Sequence, residues 1–494
     1  MKRSKPHSLP FPLWMAIAVL SSCFLGCDDE PLEPRPDIPD EYAELLPDIL
    51  EDLSDENESP DLLDEESTPD LPDEADEAED DAADETELPP ATLREQLEAI
   101  PGMHVVSQRT LSSGAVFFSL RFSQPVDHDQ AEGPQFEQRL SLLHLDQDGP
   151  MNLVSTGYDD YIEESPAELT LMLDANQLVI EHRFFGESVP EPLDWSYLCL
   201  EQAAADHHRV VEAFKPIYPG VWVSSGASKG GQASVFHRRF YPDDVEVTVA
   251  YESPLIMGAP DERFADFIEA IPEPDCQAKL LAVQNEALAR RAELSDILDN
   301  TDYTFELLGG EDTAVESLVI SLPFTYWQYT GVDGCNRIPA PTAESSSLYA
   351  FLDNAVGFYY FSDEGFEPYL PYYYQAHTEL GYPNTTMSGV IGLSNPRPPT
   401  LEEGVLPAGV SPTYNSAAVE DIAQWLRSEG SELLFIYGEH DPWTAAPFDV
   451  SEAGEAYIFI APQGTHLSDI RDLWPEDRRQ VITLLETWTG IDIS

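Results

Sequence analysis

The sequence predicts an α/β fold with a mostly parallel central sheet and an inserted helical cap. Two patterns indicate this fold. Short apolar stretches, typical of buried strands, alternate with helical segments on either side of a long interruption at residues 258–425. The interruption itself is rich in helical and aromatic patterns. A chain of 494 residues, 42% of them hydrophobic, has enough apolar material for one such domain with an insertion, or for two domains.

The predicted elements follow in chain order. Residues 115–122 and 136–145 have the composition of two strands, separated by a turn-rich segment. Shorter buried strands are expected at 151–155, 178–181, 221–225, 245–251, 432–437 and 456–461. A helix is predicted over 200–214, where apolar residues recur at helical spacing. Within the interruption, helices are predicted at 264–271 and 276–298, and we expect the aromatic runs to form mainly the core of the cap.

The N-terminus has the pattern of an export signal: a basic start, an apolar run over residues 11–20 and two cysteines, Cys23 and Cys27. Small residues before a cysteine resemble the lipobox of bacterial lipoproteins. The residues before Cys23 fit that pattern at more positions, and Cys27 is the alternative. Ordinary signal cleavage with incidental cysteines is the remaining interpretation. We therefore expect an exported protein, secreted or held in the cell envelope, whose only membrane contact is an N-terminal lipid.

The segment after Cys27 is strongly acidic, with many prolines and with Arg35 as its one Lys or Arg up to residue 90. Such a segment repels itself and has little apolar surface to bury, so it predicts a solvated, disordered linker. The net charge of the whole chain is -69. Acidity of this size, without a basic stripe, argues against nucleic acid as a partner.

These boundaries divide the chain into five regions. They are a signal peptide with a lipobox-like end (1–27), the acidic linker (28–90), the first part of the α/β core (91–257), the helical cap (258–425) and the second part of the core (426–494).

Three cysteines remain beyond the signal: Cys199, Cys276 and Cys335. An exported protein can form disulfides. Cys276 and Cys335 both fall in the cap and are the expected pair, which leaves Cys199 as a buried thiol. The sequence has neither CxxC nor HExxH spacing, so no metal site is expected.

The strongest catalytic signal is a GxSxG motif around Ser228. It follows an apolar strand and precedes a helical segment, which is the setting of a nucleophile elbow in the α/β-hydrolase fold. Gly226 and Gly230 permit the close backbone approach of such a turn. The Lys229 amide, at the start of the helix, can donate to an oxyanion. The alternative is a glycine-rich turn with a passive serine.

A serine nucleophile needs a base and an orienting acid, and in this fold they follow in the order Ser, acid, His. Asp441 lies in the turn after the strand at 432–437, and His466 lies in the loop after the strand at 456–461. We therefore predict a triad of Ser228, Asp441 and His466. The competing acids are Glu439 and Asp449, and the competing base is His440.

A second oxyanion donor is expected from the loop after the strand at 151–155. The backbone amides of Gly157 and Tyr158 are the candidates.

Several segments resemble a known family. Residues 224–232 and 236–244 resemble the nucleophile region of the bacterial secreted tripeptidyl aminopeptidases. Residues 124–139, 181–188 and 464–471 are similar to that family and to the related prolyl carboxypeptidase and dipeptidyl peptidase group. The resemblance extends from about residue 111 to the C-terminus. It implies the same triad, a helical cap over the site, and hydrolysis of peptides from a free N-terminus, often near proline.

An enzyme that acts at peptide N-termini must hold an ammonium group, most simply with a carboxylate. Glu252, directly after the strand at 245–251, and Asp159 or Asp160 in the oxyanion loop are the candidates.

The predicted function is thus a secreted or lipid-anchored serine exopeptidase that releases short peptides, with tripeptides expected, through an acyl-enzyme and without a cofactor. Two alternatives stay open because fold does not fix function. One is an esterase or lipase with the same triad, and the other is a non-catalytic surface lipoprotein that keeps the fold. Protonation of the base predicts that activity falls in acid.

Overall fold

The computed structural model describes residues 91–395 and 397–493. The predictions of an export signal, of lipidation at Cys23 or Cys27 and of an acidic linker all concern residues outside this range.

Nine strands form one sheet within the described residues, in the order β1-β2-β3-β5-β4-β6-β7-β8-β9. The first three strands pair antiparallel, and β3 joins β5 antiparallel, whereas β4 to β9 pair in parallel. The predicted fold class is therefore confirmed. The strands are β1 (Met103–Thr110), β2 (Val116–Pro125), β3 (Gln135–His144), β4 (Met151–Ser155), β5 (Asn176–Ile180), β6 (Trp222–Ala227), β7 (Val247–Tyr251), β8 (Ser431–Gly438) and β9 (Glu455–Ala461).

Thirteen α-helices accompany the sheet in the described part of the chain. They are α1 (Leu93–Glu98), α2 (Glu168–Met172), α3 (Leu200–Phe214), α4 (Lys229–Phe240), α5 (Arg263–Ala270), α6 (Pro274–Ala289), α7 (Arg291–Leu298), α8 (Glu311–Tyr329), α9 (Ser345–Ala355), α10 (Asp363–Phe366), α11 (Leu370–Gln375), α12 (Ala417–Glu429) and α13 (Pro475–Thr489). None of them is both long and apolar enough to cross a membrane.

Helices cover both faces of the sheet. Helix α3 buries residues at i, i+3, i+4 and i+7 spacing, among them Val210 and Phe214, against strands β2 to β6. Helices α4 and α12 pack on the same face near β7 and β8, while α2 and α13 pack on the opposite face. Because both faces are covered, the central strands β4, β5 and β7 are buried along their whole length.

A helical insertion separates β7 from β8 and has its own apolar core. Helix α8 runs through this core, with nearly all of its residues from Ala314 to Gln328 buried. Phe358 and Phe361 belong to the same cluster, as expected for the aromatic runs. The helix predicted over 276–298 is two helices, α6 and α7. They separate at Arg290, whose backbone leaves the helical region and whose guanidinium donates to carbonyls of the segment before α9.

The insertion is cross-linked by a disulfide between Cys276 at the start of α6 and Cys335, with an S–S distance of 2.02 Å and a sequence separation of 59. This is the pair favoured by the sequence. Cys199 is a free thiol at the start of α3, and burial raises its pKa to about 11.

We expect the double substitution Cys276→Ala, Cys335→Ala to lower the free energy of unfolding. Because the bridge closes a loop of 59 residues, the chain-entropy argument gives a loss of about 4 kcal/mol. Denaturant unfolding of wild type, of the double variant and of Cys199→Ala would measure it. Cys199→Ala should keep the sensitivity of wild type to reductant and the double variant should lose it. Equal midpoints for wild type and the double variant would contradict the expectation.

Candidate active site

Ser228 lies at a strained turn between β6 and α4. Its backbone has φ 55° and ψ -125°, a conformation that costs a non-glycine residue energy and recurs at functional sites. Its N–H donates to the Tyr251 carbonyl at the end of β7, 2.8 Å away. The side chain is half-buried. The predicted elbow is thus present, with its serine at the carboxyl edge of the parallel strands.

Two glycines make this turn possible. A Cβ on Gly226 would lie 2.4 Å from the carbonyl carbon of Gly230, and a Cβ on Gly230 would lie 2.1 Å from the Ser155 oxygen. Both distances are far below van der Waals contact. The turn therefore packs backbone against backbone, on itself and on the end of β4.

His466 and Asp441 form a buried hydrogen-bonded pair at the same edge. His466 Nδ1 lies 2.7 Å from Asp441 Oδ2, and both side chains are almost fully buried. Asp441 caps a short helical turn after β8, where its Oδ1 accepts from the Trp443 N–H at 3.3 Å. A carboxylate at Nδ1 holds the proton on that nitrogen and leaves Nε2 as the basic one. Among the described residues, His466 Nε2 is buried and has no partner.

Two aromatic rings pack near the His466 imidazole, and one of them also lines the cavity that contains Ser228. Trp443 lines the same cavity as Ser228, and its ring centroid is 6.1 Å from that of His466. Tyr329 packs edge-to-face against the imidazole, with the two ring centroids 6.0 Å apart. The His466 N–H donates to the Gln328 carbonyl at the end of α8, so the cap helps to hold the loop that carries the histidine.

The competing acids and base have other partners. Glu439 is exposed and accepts from the Gln463 N–H, and Asp449 forms an ion pair with Arg427. His440 is buried with its ring 5.8 Å from that of Trp327. Of the candidates from the sequence, Asp441 is the acid that hydrogen-bonds His466.

The proposed oxyanion loop lies directly against the elbow. Gly157 has φ +75°, and a Cβ there would lie 2.6 Å from the Gly230 nitrogen. The Tyr158 N–H donates to Thr156 Oγ1 at 3.3 Å. This contact makes Gly157 the better placed of the two loop amides, alongside that of Lys229. As the first residue of α4, Lys229 has no helical carbonyl to receive its N–H.

The Lys229 side chain has a place that the sequence did not suggest. It is buried, with Nζ donating to the Gly157 carbonyl at 2.6 Å and lying 5.5 and 5.0 Å from the ring centroids of Tyr158 and Phe185. Burial holds the pKa of this amine well below its usual range. The side chain therefore ties the oxyanion loop to the residue next to Ser228.

The three carboxylates predicted for a substrate ammonium have different surroundings. Glu252 is buried with its Oε2 accepting from the Gly438 N–H at 2.8 Å, and it does not line the cavity that contains Ser228. Asp160 is buried and accepts from the Ser141 hydroxyl and the Glu163 N–H. Asp159 is half-buried, and its burial, with the nearby charge of Glu181, raises its pKa to about 6.

A fourth carboxylate, Glu402, was missed by the sequence analysis. It is buried in the cap, and its Oε2 has no partner among the described residues. Its turn packs on Tyr373, since a Cβ on Gly404 would lie 2.1 Å from that ring. Tyr372, the residue before Tyr373, lines the cavity that contains Ser228. Burial raises the pKa of Glu402 to about 7. In so acidic a chain, burial alone distinguishes this residue.

The cavity around Ser228 is narrow and mostly apolar. Its walls are formed by Tyr158, Ser228, Lys229, Gln232, Pro254, Ile256, Tyr372, Leu380, Gly381 and Trp443. An apolar, aromatic pocket beside Ser228 suits a compact hydrophobic side chain.

Ligand atoms of Glu252, Asp441 and His466 all lie within 4.8 Å of one another, a spacing that a metal ion could also use. However, the hydrogen bond from His466 to Asp441 already occupies the facing atoms of two of these side chains. The structure therefore supports a hydrogen-bonded pair of His466 and Asp441, and His466 Nε2 makes no hydrogen bond to Ser228.

Comparisons with known proteins found a matching family and related sequences. The model of the family described as PS-10 peptidase S37 matches residues 87–494. The chain is 36% identical over 417 residues to the prolyl tri/tetrapeptidyl aminopeptidase of Streptomyces mobaraensis, covering 82% of this chain and 86% of that protein. It is 22% identical over 452 residues to the prolyl carboxy peptidase like protein 5 of Caenorhabditis elegans, covering 74% and 83%.

A solved structure, the proline iminopeptidase of Mycobacterium smegmatis, matches with a TM-score of 0.38 and 14% identity, over 75% of this chain and 99% of that one.

We expect Gly157→Ala to reduce the reaction of Ser228 with a fluorophosphonate by on the order of 100-fold, the loss that a displaced reactive group can cause. The new Cβ would collide with Lys229 and Gly230, and the alanine would have to adopt a positive φ. Labelling rates would be measured beside near-ultraviolet circular dichroism. Gly454→Ala is the control, because a Cβ there meets nothing within 4 Å. Equal rates for Gly157→Ala and wild type would exclude this loop from the site.

Proposed function

The chain belongs to the PS-10 peptidase family, S37, and is a serine peptidase; we propose that it releases tripeptides or similarly short peptides from free N-termini through Ser228, His466 and Asp441. The family expected from the sequence resemblance is thereby confirmed. The observation that carries the proposal is the buried pair of His466 and Asp441, with Nε2 unpartnered at the sheet edge that bears the strained Ser228.

In the proposed reaction, His466 Nε2 takes the Ser228 proton as Oγ attacks the peptide carbonyl. Asp441 holds the imidazolium that forms. The backbone N–H groups of Lys229 and Gly157 receive the developing oxyanion. The imidazolium then protonates the leaving amine, which departs as the shortened peptide. Water attacks the acyl-enzyme by the same path in reverse and releases the N-terminal fragment.

Release from a free N-terminus requires a group that recognises an ammonium. Glu402 supports this role, because it is a buried carboxylate with an unpartnered oxygen, near Tyr372, which lines the Ser228 cavity. Three extended residues span about 10 Å. A carboxylate at that distance from the serine sets the length of the released fragment. Asp159 is the second candidate at this end of the site.

The relative from Streptomyces mobaraensis is named for prolyl substrates. We extend this preference to the present chain, with proline before the cleaved bond. The apolar cavity walls, including Tyr372 and Trp443, support the choice because they suit a rigid, compact ring.

We also propose that the protein is exported and, more specifically, that it carries a lipid on Cys23 or Cys27. The support is the N-terminal pattern together with the disulfide between Cys276 and Cys335, a bond typical of oxidising compartments.

A fluorogenic substrate series tests the function. We expect hydrolysis of a tripeptide ending in proline with a free amine, and a loss of roughly 10-fold or more in kcat/KM when the amine is acetylated, since charged hydrogen bonds contribute about 1.5–3 kcal/mol. Turnover of a short acyl ester alone would favour an esterase. Fluorophosphonate labelling that Ser228→Ala abolishes would exclude a non-catalytic lipoprotein, and intact protein that stays unlabelled would support one.

We expect Glu402→Gln to raise KM for the free-amine tripeptide by roughly 10-fold or more, with little change in kcat, because a neutral amide replaces the carboxylate. The pKa of Glu402 is about 7. In wild type the carboxyl group becomes neutral below that pH and KM should rise there, whereas the variant should lack this step.

Glu403→Gln is the matched control, because the neighbouring carboxylate instead pairs with Arg397 at 3.4 Å. The two variants and wild type would be compared with free and acetylated tripeptides from pH 5 to pH 8. A wild-type KM in Glu402→Gln would exclude Glu402 as the ammonium-binding residue and leave Asp159 as the candidate.

A further inference from the structure

A second carboxyl group lies directly beside the acid of the triad. Glu252 is the first residue after β7, has φ 47° and is 1% exposed. Its N–H donates to the Ile436 carbonyl at 2.8 Å, and its Oε2 accepts from the Gly438 N–H at 2.8 Å. Both contacts are to β8. Glu252 is thus fixed between β7, whose last residue accepts the Ser228 N–H, and β8, which leads to Asp441.

The other oxygen of this carboxyl group is unsatisfied. Glu252 Oε1 is buried and has no partner of the standard geometry among the described residues. Buried polar atoms in folded proteins are nearly always hydrogen-bonded. Oxygen atoms of Glu252 and Asp441 and a ring nitrogen of His466 all lie within 4.8 Å of one another. If Glu252 Oε1 carried a proton, it could donate a hydrogen bond to the neighbouring carboxylate of Asp441.

The two carboxyl groups cannot both be ionised at low cost in this dry environment. Asp441 accepts from His466 and from the Trp443 N–H, contacts that favour its charged form. Glu252 has one backbone donor. Burial is the main cause that raises the pKa of Glu252 well above its ordinary value, and the charge of Asp441 adds to it. The titratable groups that face it are Asp441, His466, Asp472 and Tyr437.

We propose that Glu252 is a neutral carboxylic acid that donates its proton to Asp441 and so holds that carboxylate toward His466. This makes Glu252 a positioning residue that acts through Asp441 and touches no substrate. The inference rests on the proposed roles of Ser228, His466 and Asp441. It also replaces the ammonium-binding role that the sequence suggested for Glu252.

The test uses the rate of fluorophosphonate labelling of Ser228 in the full chain, which needs no peptide and no free amine. Glu252→Gln keeps an N–H donor of the same shape and should stay within about threefold of wild type at neutral pH. Glu252→Ala loses the donor and should label roughly 10- to 100-fold more slowly, the cost of a misplaced group. Glu316→Gln, equally buried at 1% but in the cap, should keep the wild-type rate.

The pH profile separates positioning from a merely structural role. In wild type, loss of the Glu252 proton at alkaline pH would place two negative charges together and remove the bond to Asp441, so labelling should decline there. Glu252→Gln has no such proton and should hold its plateau. An infrared difference spectrum between wild type and Glu252→Gln should contain the carbonyl band of a protonated carboxylic acid.

The outcomes are distinguishable. A folded Glu252→Ala that labels at the wild-type rate, or the absence of the protonated-acid band, would overturn the proposal. If Glu252→Ala does not fold, the test is the labelling rate of wild type and Glu252→Gln at alkaline pH. The same decline in wild type and in Glu252→Gln would overturn the inference. Labelling that survives Ser228→Ala would instead refute the proposed function itself.

Discussion

The site depends on a contact between backbones that leaves no room for side chains. The turn at Ser228 packs on itself through Gly226 and Gly230, and the loop at Gly157 packs on that turn. The Lys229 amine then binds the Gly157 carbonyl, which ties the loop to the helix behind the serine. Because the glycine contacts are between main-chain atoms, the relative position of Ser228 and the loop is set mainly by the backbone, with the Lys229 side chain as an additional link.

The imidazole, in contrast, is positioned jointly by the sheet and the insertion. Asp441 comes from the end of β8, whereas the Gln328 carbonyl that receives the His466 N–H lies at the end of α8. Tyr329, from the same helix, packs edge-on against the ring. The His466 imidazole is thus oriented by elements from both parts of the fold, and burial strengthens each of the polar contacts involved.

Much of the architecture followed from apolar patterning, and the exceptions have physical reasons. Strand β1 was missed because six of its eight side chains are exposed, so it has no sustained hydrophobic alternation. The break between α6 and α7 depends on Arg290, whose carbonyl partners lie some fifty residues away. The site residues Ser228, Asp441 and His466 could be chosen because strand ends and chain order restrict them. Glu402 could not, because its burial depends on tertiary packing around Tyr373.

The hydrogen bond from the His466 main chain to Gln328 has a consequence for what the protein can digest. A movement of α8 away from the sheet would break this bond and displace the loop that carries His466. The positions of α8 and of the His466 imidazole are therefore coupled through this hydrogen bond. A peptide that binds without displacing α8 would leave the position of the imidazole unchanged.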